Sequence, residues 1–185
     1  MAGHMKPIGD YATLFGQVDF GSYLEGDPPA VLLQYAATGS FRPIHGDDPG
    51  ETLFRSADSG FDAEEGSGGS AAPLPIEVAY MVFPLRSPER PDEMRLLVGC
   101  ADECDIRIND KSISRQHAWI ERRGDEYWVK DNESTIATYI NGQRIEPGTE
   151  HKLGPSDQLT LGTVDLIFLD AAGFFHFVRT LFGTR

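Results

Sequence analysis

The sequence predicts an all-β fold: a sandwich of two sheets with about 10–11 short strands, an N-terminal arm before it and a short C-terminal helix after it. Two observations point there. From Glu77 onward the chain breaks into short runs that alternate apolar and polar residues, the period of a half-buried strand. Turn residues punctuate these runs at close intervals, with Asn141-Gly142 the strongest two-residue hairpin signal in the chain.

Residues 1–4 read as an expression scar and are set aside. Residues 5–45 form the arm, expected to pack on the domain that follows because it is too short to bury a core alone. Asp10 is placed to cap a short helix over Tyr11, Leu14, Phe15 and Val18, which are apolar at i, i+3, i+4 and i+7. Asp27-Pro28-Pro29 stops that segment, and Ala30 to Tyr35 reads as a buried strand. Residues 46–75, dominated by Gly, Ser and acidic side chains, read as a flexible linker with too little apolar surface to order itself.

Residues 76–170 are the sandwich. Val78 to Leu85 and Met94 to Val98 are read as strands joined by a Pro-rich hairpin over Ser87 to Asp92. Ile106-Ile108, Ala118-Arg122, Tyr127-Lys130, Thr138-Ile140, Gln143-Ile145, His151-Leu153, Gln158-Leu161 and Val164-Leu169 follow. Residues 171–185 close the chain with an aromatic helix over Ala171 to Phe182, expected to pack on the sandwich or the arm rather than stand exposed.

Composition narrows the function. Sixteen basic against twenty-nine acidic residues leave a net charge of −13. That disfavours nucleic acid and anionic membrane surfaces, both of which need Lys and Arg. No apolar run approaches the roughly 18 residues of a spanning helix, and the start lacks the pattern of a signal peptide, so a cytoplasmic protein is expected. Cys100 and Cys104 read as reduced thiols: too few for a disulfide scaffold, and too few ligands for zinc. No metal and no cofactor is expected.

The stretch Asp110 to Ala118 concentrates the chemistry. It lies between two predicted strands and offers the hydroxyls of Ser112 and Ser114, the cations Lys111 and Arg115, and the imidazole of His117. Hydroxyls and cations on a loop held by strands can receive an anionic ligand. Ser114, His117 and Asp131 together have the residue types of a hydrolytic triad, but no Gly-x-Ser-x-Gly elbow carries the serine. No Gly-rich nucleotide loop follows a strand either. No catalytic residue is assigned, and the chain is read as not an enzyme.

The order of motifs over residues 78 to 170 resembles a forkhead-associated (FHA) domain, of bacterial type. The resemblance rests on Val98-Gly99 before Asp105-Ile106, and on Ser114-Arg115-Gln116-His117-Ala118. It also rests on Asp131 with Ser134-Thr135, Ile140-Asn141-Gly142, Leu153-Gly154, Asp157-Gln158-Leu159 and Leu161-Gly162. It implies a two-sheet sandwich with binding loops at one end, in a signalling module that usually recognises phosphothreonine in a partner protein. Carried over, Ser114 is the phosphate-contacting serine, Arg115 adds a contact, and Thr135 is the hydroxyl of the next loop; Lys111, a cation on the same loop, is a further candidate for the phosphopeptide. Gly99, His117, Asn141 and Gly142 brace the loops.

Two positions depart from that pattern. The family's arginine after the glycine is here Cys100, and its Asn-Gly after the Ser-Thr pair is here Ile136-Ala137. A hydrogen bond to a charged group is worth about 1.5–3 kcal/mol and a neutral one about 1. Losing both removes roughly 2.5–4 kcal/mol, or about two to three decades of affinity. The expectation is therefore an interaction module that binds a protein partner with weak or no phosphate dependence. The alternative is a phosphothreonine reader with a substituted cation: Arg115, Lys111 or Arg107.

Overall fold

The computed structural model describes residues 6–26, 28–35, 80–87, 89 and 92–183; the predicted linker over 46–75 lies outside them. The chain folds as two stacked sheets. The first has seven strands in the order β1-β3-β2-β12-β11-β8-β9, and the second has five in the order β10-β7-β6-β4-β5. In the first sheet the strands are β1 (Lys6–Pro7), β2 (Val31–Tyr35), β3 (Tyr80–Pro84), β8 (Thr138–Ile140), β9 (Gln143–Arg144), β11 (Gln158–Leu161) and β12 (Val164–Leu169). In the second they are β4 (Arg95–Gly99), β5 (Ile106–Arg107), β6 (Ala118–Arg123), β7 (Glu126–Asp131) and β10 (Glu150–Leu153). Pairing is antiparallel except for β4 with β5, where Gly99 stands opposite Arg107 in a parallel register. Helices α1 (Gly9–Gln17), α2 (Phe20–Glu25) and α3 (Ala171–Phe182) lie on the outer side of the seven-stranded sheet.

Side-chain alternation decides where each strand points. In β6, Ala118 and Ile120 enter the sandwich core while Trp119 and Glu121 face outward, and in β7 Tyr127 and Val129 do the same against Trp128 and Lys130. Strands β2, β3 and β12 are apolar on both faces because both faces are covered. Leu32, Phe83, Leu166 and Phe168 enter the sandwich core. Val31, Leu33, Val82, Ile167 and Leu169 meet a second core under the helices.

That second core is aromatic. Phe15 of α1 lies 5.5 Å from Phe174 and 5.1 Å from Phe175 of α3, ring centre to ring centre. Helix α3 begins at Asp170, whose carboxylate accepts the Gly173 N–H at 2.7 Å, and ends at Gly183 with φ of 64°. The aromatic tail is thus sealed between sheet and arm, as its composition required.

Three expectations need correction. The arm does more than pack on the domain: β2 is an internal strand, hydrogen-bonded to both β3 and β12. Strands β3 and β4 do not form a hairpin; they belong to different sheets. Two inward faces on consecutive strands fit either arrangement, and alternation alone does not separate them. Asp10 is not a cap: it sits in the first turn of α1 after Ile8, and no side chain caps that end. Its charge still lies near the positive end of the helix dipole.

Because the arm completes the second core, Phe15→Ala is expected to lower the unfolding free energy by about 3–5 kcal/mol. Leu24→Ala, at a side chain 40% exposed, is expected to change it by less than about 0.5 kcal/mol. Urea denaturation followed by tryptophan fluorescence measures both.

Candidate functional site

At one end of the sandwich the loop between β5 and β6 meets the loop after β4, the β7–β8 loop and the β11–β12 turn. Its first half is held by its own side chains. The Asp110 carboxylate accepts the Ser112 N–H at 2.8 Å and the Ser112 hydroxyl at 2.7 Å. These bonds hold the Asp110 carboxyl below the usual carboxylate range. Ser112 Oγ in turn accepts from the Thr163 N–H at 3.0 Å and hydroxyl at 2.9 Å. Gly162 is essential to this approach, since a Cβ there would lie 2.4 Å from the Ser112 carbonyl oxygen. Ile113 plugs into the sandwich core. Ser112 is therefore consumed by the loop itself, although its hydroxyl reads from sequence as available to a ligand.

The second half is clamped on the end of β4. The Cys100 N–H donates to the Ser114 carbonyl at 3.1 Å, and the Ala101 N–H to the Arg115 carbonyl at 3.2 Å. The Cys104 thiol also donates to the Arg115 carbonyl, at 3.0 Å. Burial pushes that thiol up to about 11, so it keeps its proton at neutral pH and remains a donor. A Cβ at Gly99 would lie 2.2 Å from the Arg115 oxygen, so only glycine lets the two backbones come this close.

His117 is fully buried. Its Nδ1 accepts the Ser114 N–H at 3.0 Å, its backbone N–H donates to the Val98 carbonyl at 2.8 Å, and its backbone carbonyl accepts the Asn132 N–H at 2.9 Å. With Nδ1 engaged by the serine's own amide, that ring nitrogen is not poised to take the proton of the serine's hydroxyl. Burial lowers the His117 pKa, with the nearby Asp131 charge opposing. Asp131 is itself satisfied: it accepts the Ser134 N–H at 3.0 Å, the Ser134 hydroxyl at 2.5 Å and the Thr138 hydroxyl at 2.6 Å. Burial alone raises a carboxyl, but these bonds and His117 bring Asp131 below its ordinary value.

The exposed chemistry converges on Ser114, whose Oγ accepts the Thr135 N–H at 2.9 Å and so joins the two binding loops. Thr135 and Ile136 are exposed beside it, with Ala137 following. Arg115 is 81% exposed and pairs with Glu103 at 3.6 Å; Arg107 pairs with Asp102. Cys100 is only partly exposed, and its side chain packs on the sandwich core. Lys111 is exposed on the outer turn of the loop. The acidic turn after Cys100 thus pairs with Arg115, next to the serine, and with Arg107 on β5.

Ser114, Arg115, Thr135, Gly99 and His117 are brought together in one place. Asn141 and Gly142 are not: they form the far tip of the β8–β9 hairpin at positive φ, and Asn141 bonds to Asp157 and Gln158 instead. Asn132, Asp131, Cys104, Gly162 and Thr163 also hold the site together. Sequence reading assigned none of them that task, although Gly162 lies in a recognisable Leu-Gly step. Among the described residues no group of His, Cys, Asp or Glu is arranged to hold a metal, and no helix is long and apolar enough to cross a membrane.

A family model described as the FHA domain matches residues 96–162. Protein FraH of Nostoc sp. is 41% identical over 59 residues, 32% of this chain and 20% of its own length. The oxoglutarate dehydrogenase inhibitor of Corynebacterium jeikeium is 33% identical over 81 residues, 44% of this chain and 54% of its own. The chain therefore spans about half of one of these relatives and a fifth of the other. The solved FHA domain of an Arabidopsis thaliana protein is 17% identical, covering 77% of this chain and 86% of its own with a TM-score of 0.44.

Stability should follow the two buried groups that brace the loops. His117 has its pKa lowered on folding, so the unfolded chain takes up the proton first. Its stabilising effect is complete above the ordinary value of 6.5 and is lost as pH falls below that value. Asp131 adds a second loss at lower pH: its lowered pKa stabilises the fold above 3.8, and that effect disappears as pH falls through the folded value. Urea midpoints measured from pH 8 down to pH 5, a range chosen around the histidine value of 6.5, should fall for the wild type. The His117→Gln variant should start lower and stay flat. A second expectation concerns Gly99→Ala, which should destabilise by about 1–3 kcal/mol through overpacking against Arg115, as read from the same midpoints.

Proposed function

Taking residues 96–162 as an FHA domain, we propose that this chain is a signalling interaction module that grips a protein partner at the Ser114 end with weak or no dependence on phosphate. One observation carries the reading. Where the resemblance implies a free guanidinium after Gly99 there is Cys100, and the arginine next to Ser114, Arg115, faces the carboxylate of Glu103, as Arg107 of β5 faces Asp102. A phosphate arriving there competes with ion pairs already made, in a chain of net charge −13. What remains for the ligand is the hydroxyl face of Ser114 and Thr135 together with the aliphatic side chain of Ile136. The relative from Corynebacterium jeikeium is named as an inhibitor of an enzyme, which matches a regulatory and non-catalytic use of the fold.

A second reading is a phosphothreonine reader that uses Arg115. It is favoured by that side chain's exposure and by the length of its pairing to Glu103, 3.6 Å. Such an exposed pair is worth at most about 1 kcal/mol and yields readily to a doubly charged phosphate. Lys111 and Arg107 are the other cations within this reading.

Matched phosphothreonine and threonine peptide pools, titrated calorimetrically into the whole chain, separate the two. The first reading expects affinities within about ten-fold of each other. Discrimination beyond about a hundred-fold, lost in both Ser114→Ala and Arg115→Ala, would establish the second reading instead.

A further inference from the structure

We propose that Ile136 is the residue that selects the partner, and that the site takes an extended peptide carrying a branched aliphatic side chain beside the residue that meets Ser114. The inference rests on the peptide-binding reading of the Ser114 end. Among the described residues three large apolar side chains are exposed: Leu24, Met94 and Ile136. A single exposed hydrophobe is ordinary on any surface. What distinguishes Ile136 is the backbone that carries it. The Ser134 N–H is held by Asp131, and the Thr135 N–H by the Ser114 hydroxyl oxygen. The Ser134 hydroxyl is committed to Asp131, and the Ala137 carbonyl accepts from the Gly162 N–H at 3.3 Å.

The side chain, 43% exposed, therefore stands on an immobilised loop one residue from the hydroxyl of Thr135. Isoleucine has few rotamers to lose, and its loop loses little more when a ligand covers it. The lip of the site thus pairs a hydrogen-bonding edge with a fixed aliphatic one. The resemblance leads one to expect an asparagine here, which can bond the main chain of any peptide and so discriminates little among side chains. Isoleucine has no such bond to offer, and contributes only where an apolar partner side chain removes it from water. Cys100, whose N–H donates to the Ser114 carbonyl and whose side chain packs on the core, adds no charge that would favour a polar neighbour.

The test uses the whole chain and two peptide libraries, one fixed on a central phosphothreonine and one on threonine, each randomised at the flanking positions. Wild-type protein is expected to enrich Ile, Val and Leu at one flanking position in whichever library binds. Ile136→Val should keep that preference. Ile136→Asn, with an unchanged melting temperature because the position is exposed, should lose about ten-fold of it. The inference is overturned if the wild type shows no aliphatic preference. It is also overturned if Ile136→Asn retains the preference while Ser114→Ala abolishes binding, an outcome that leaves the peptide-binding site standing. Failure of both libraries to bind, or binding indifferent to both Ser114→Ala and Ile136→Asn, would overturn the site reading and this inference together.

Discussion

The close approach of two backbones, Gly99 against Arg115, is the constraint on which the rest of the binding end depends. With no side chain at Gly99, the carbonyls of Ser114 and Arg115 come within hydrogen-bond reach of Cys100, Ala101 and the Cys104 thiol. That clamp fixes where the Ser114 hydroxyl points, and through the Thr135 amide it fixes the neighbouring loop as well. His117 serves the same end from beneath, its ring inside the sandwich and its Nδ1 turned up to the Ser114 amide. A buried imidazole kept neutral by its surroundings is suited to bracing and ill suited to proton transfer with a hydroxyl it does not face.

The same architecture occupies much of the polar chemistry around the site. Its polar groups are largely spoken for: Ser112 by Asp110 and Thr163, Asp131 by Ser134 and Thr138, Arg107 by Asp102, and Arg115 by Glu103. Such satisfaction makes the loops rigid, and rigidity favours binding by limiting the order that must be imposed on a ligand's arrival. Arg107 and Arg115 are held in ion pairs, while Lys111 stands exposed on the outer turn of the loop. In the proposed reading, preorganised shape and weak electrostatics together favour a ligand recognised by its side chains.

How legible this was varies from residue to residue. Strands β6, β7 and β11 were visible because one face of each is buried, which writes a period of two into the sequence. The tail helix was visible from its broad apolar face, and Ser114, Arg115 and His117 from their spacing. Strand β2 was readable as a strand, but its central place in the seven-stranded sheet was not: an apolar run covered on both faces has no alternation to say which neighbours it has. The layer change between β3 and β4 was hidden for a similar reason. Asn141 and Gly142 were misplaced because their signal is a turn signal, and a tight turn declares its conformation rather than its distance from a site. The partnerships of Ser112, Cys104 and Thr163 depend on loops meeting in space, and no local pattern records such meetings.

The central claim, that a missing cation weakens the grip on phosphate, is tested most directly by restoring the charge. Calorimetric affinities for matched phosphothreonine and threonine peptides should be compared between the wild type and a Cys100→Arg variant of equal melting temperature. The account predicts that the variant's preference for the phosphorylated peptide rises by about ten-fold or more, the worth of one charge-assisted hydrogen bond. An unchanged preference, with the wild type already discriminating strongly, would contradict it.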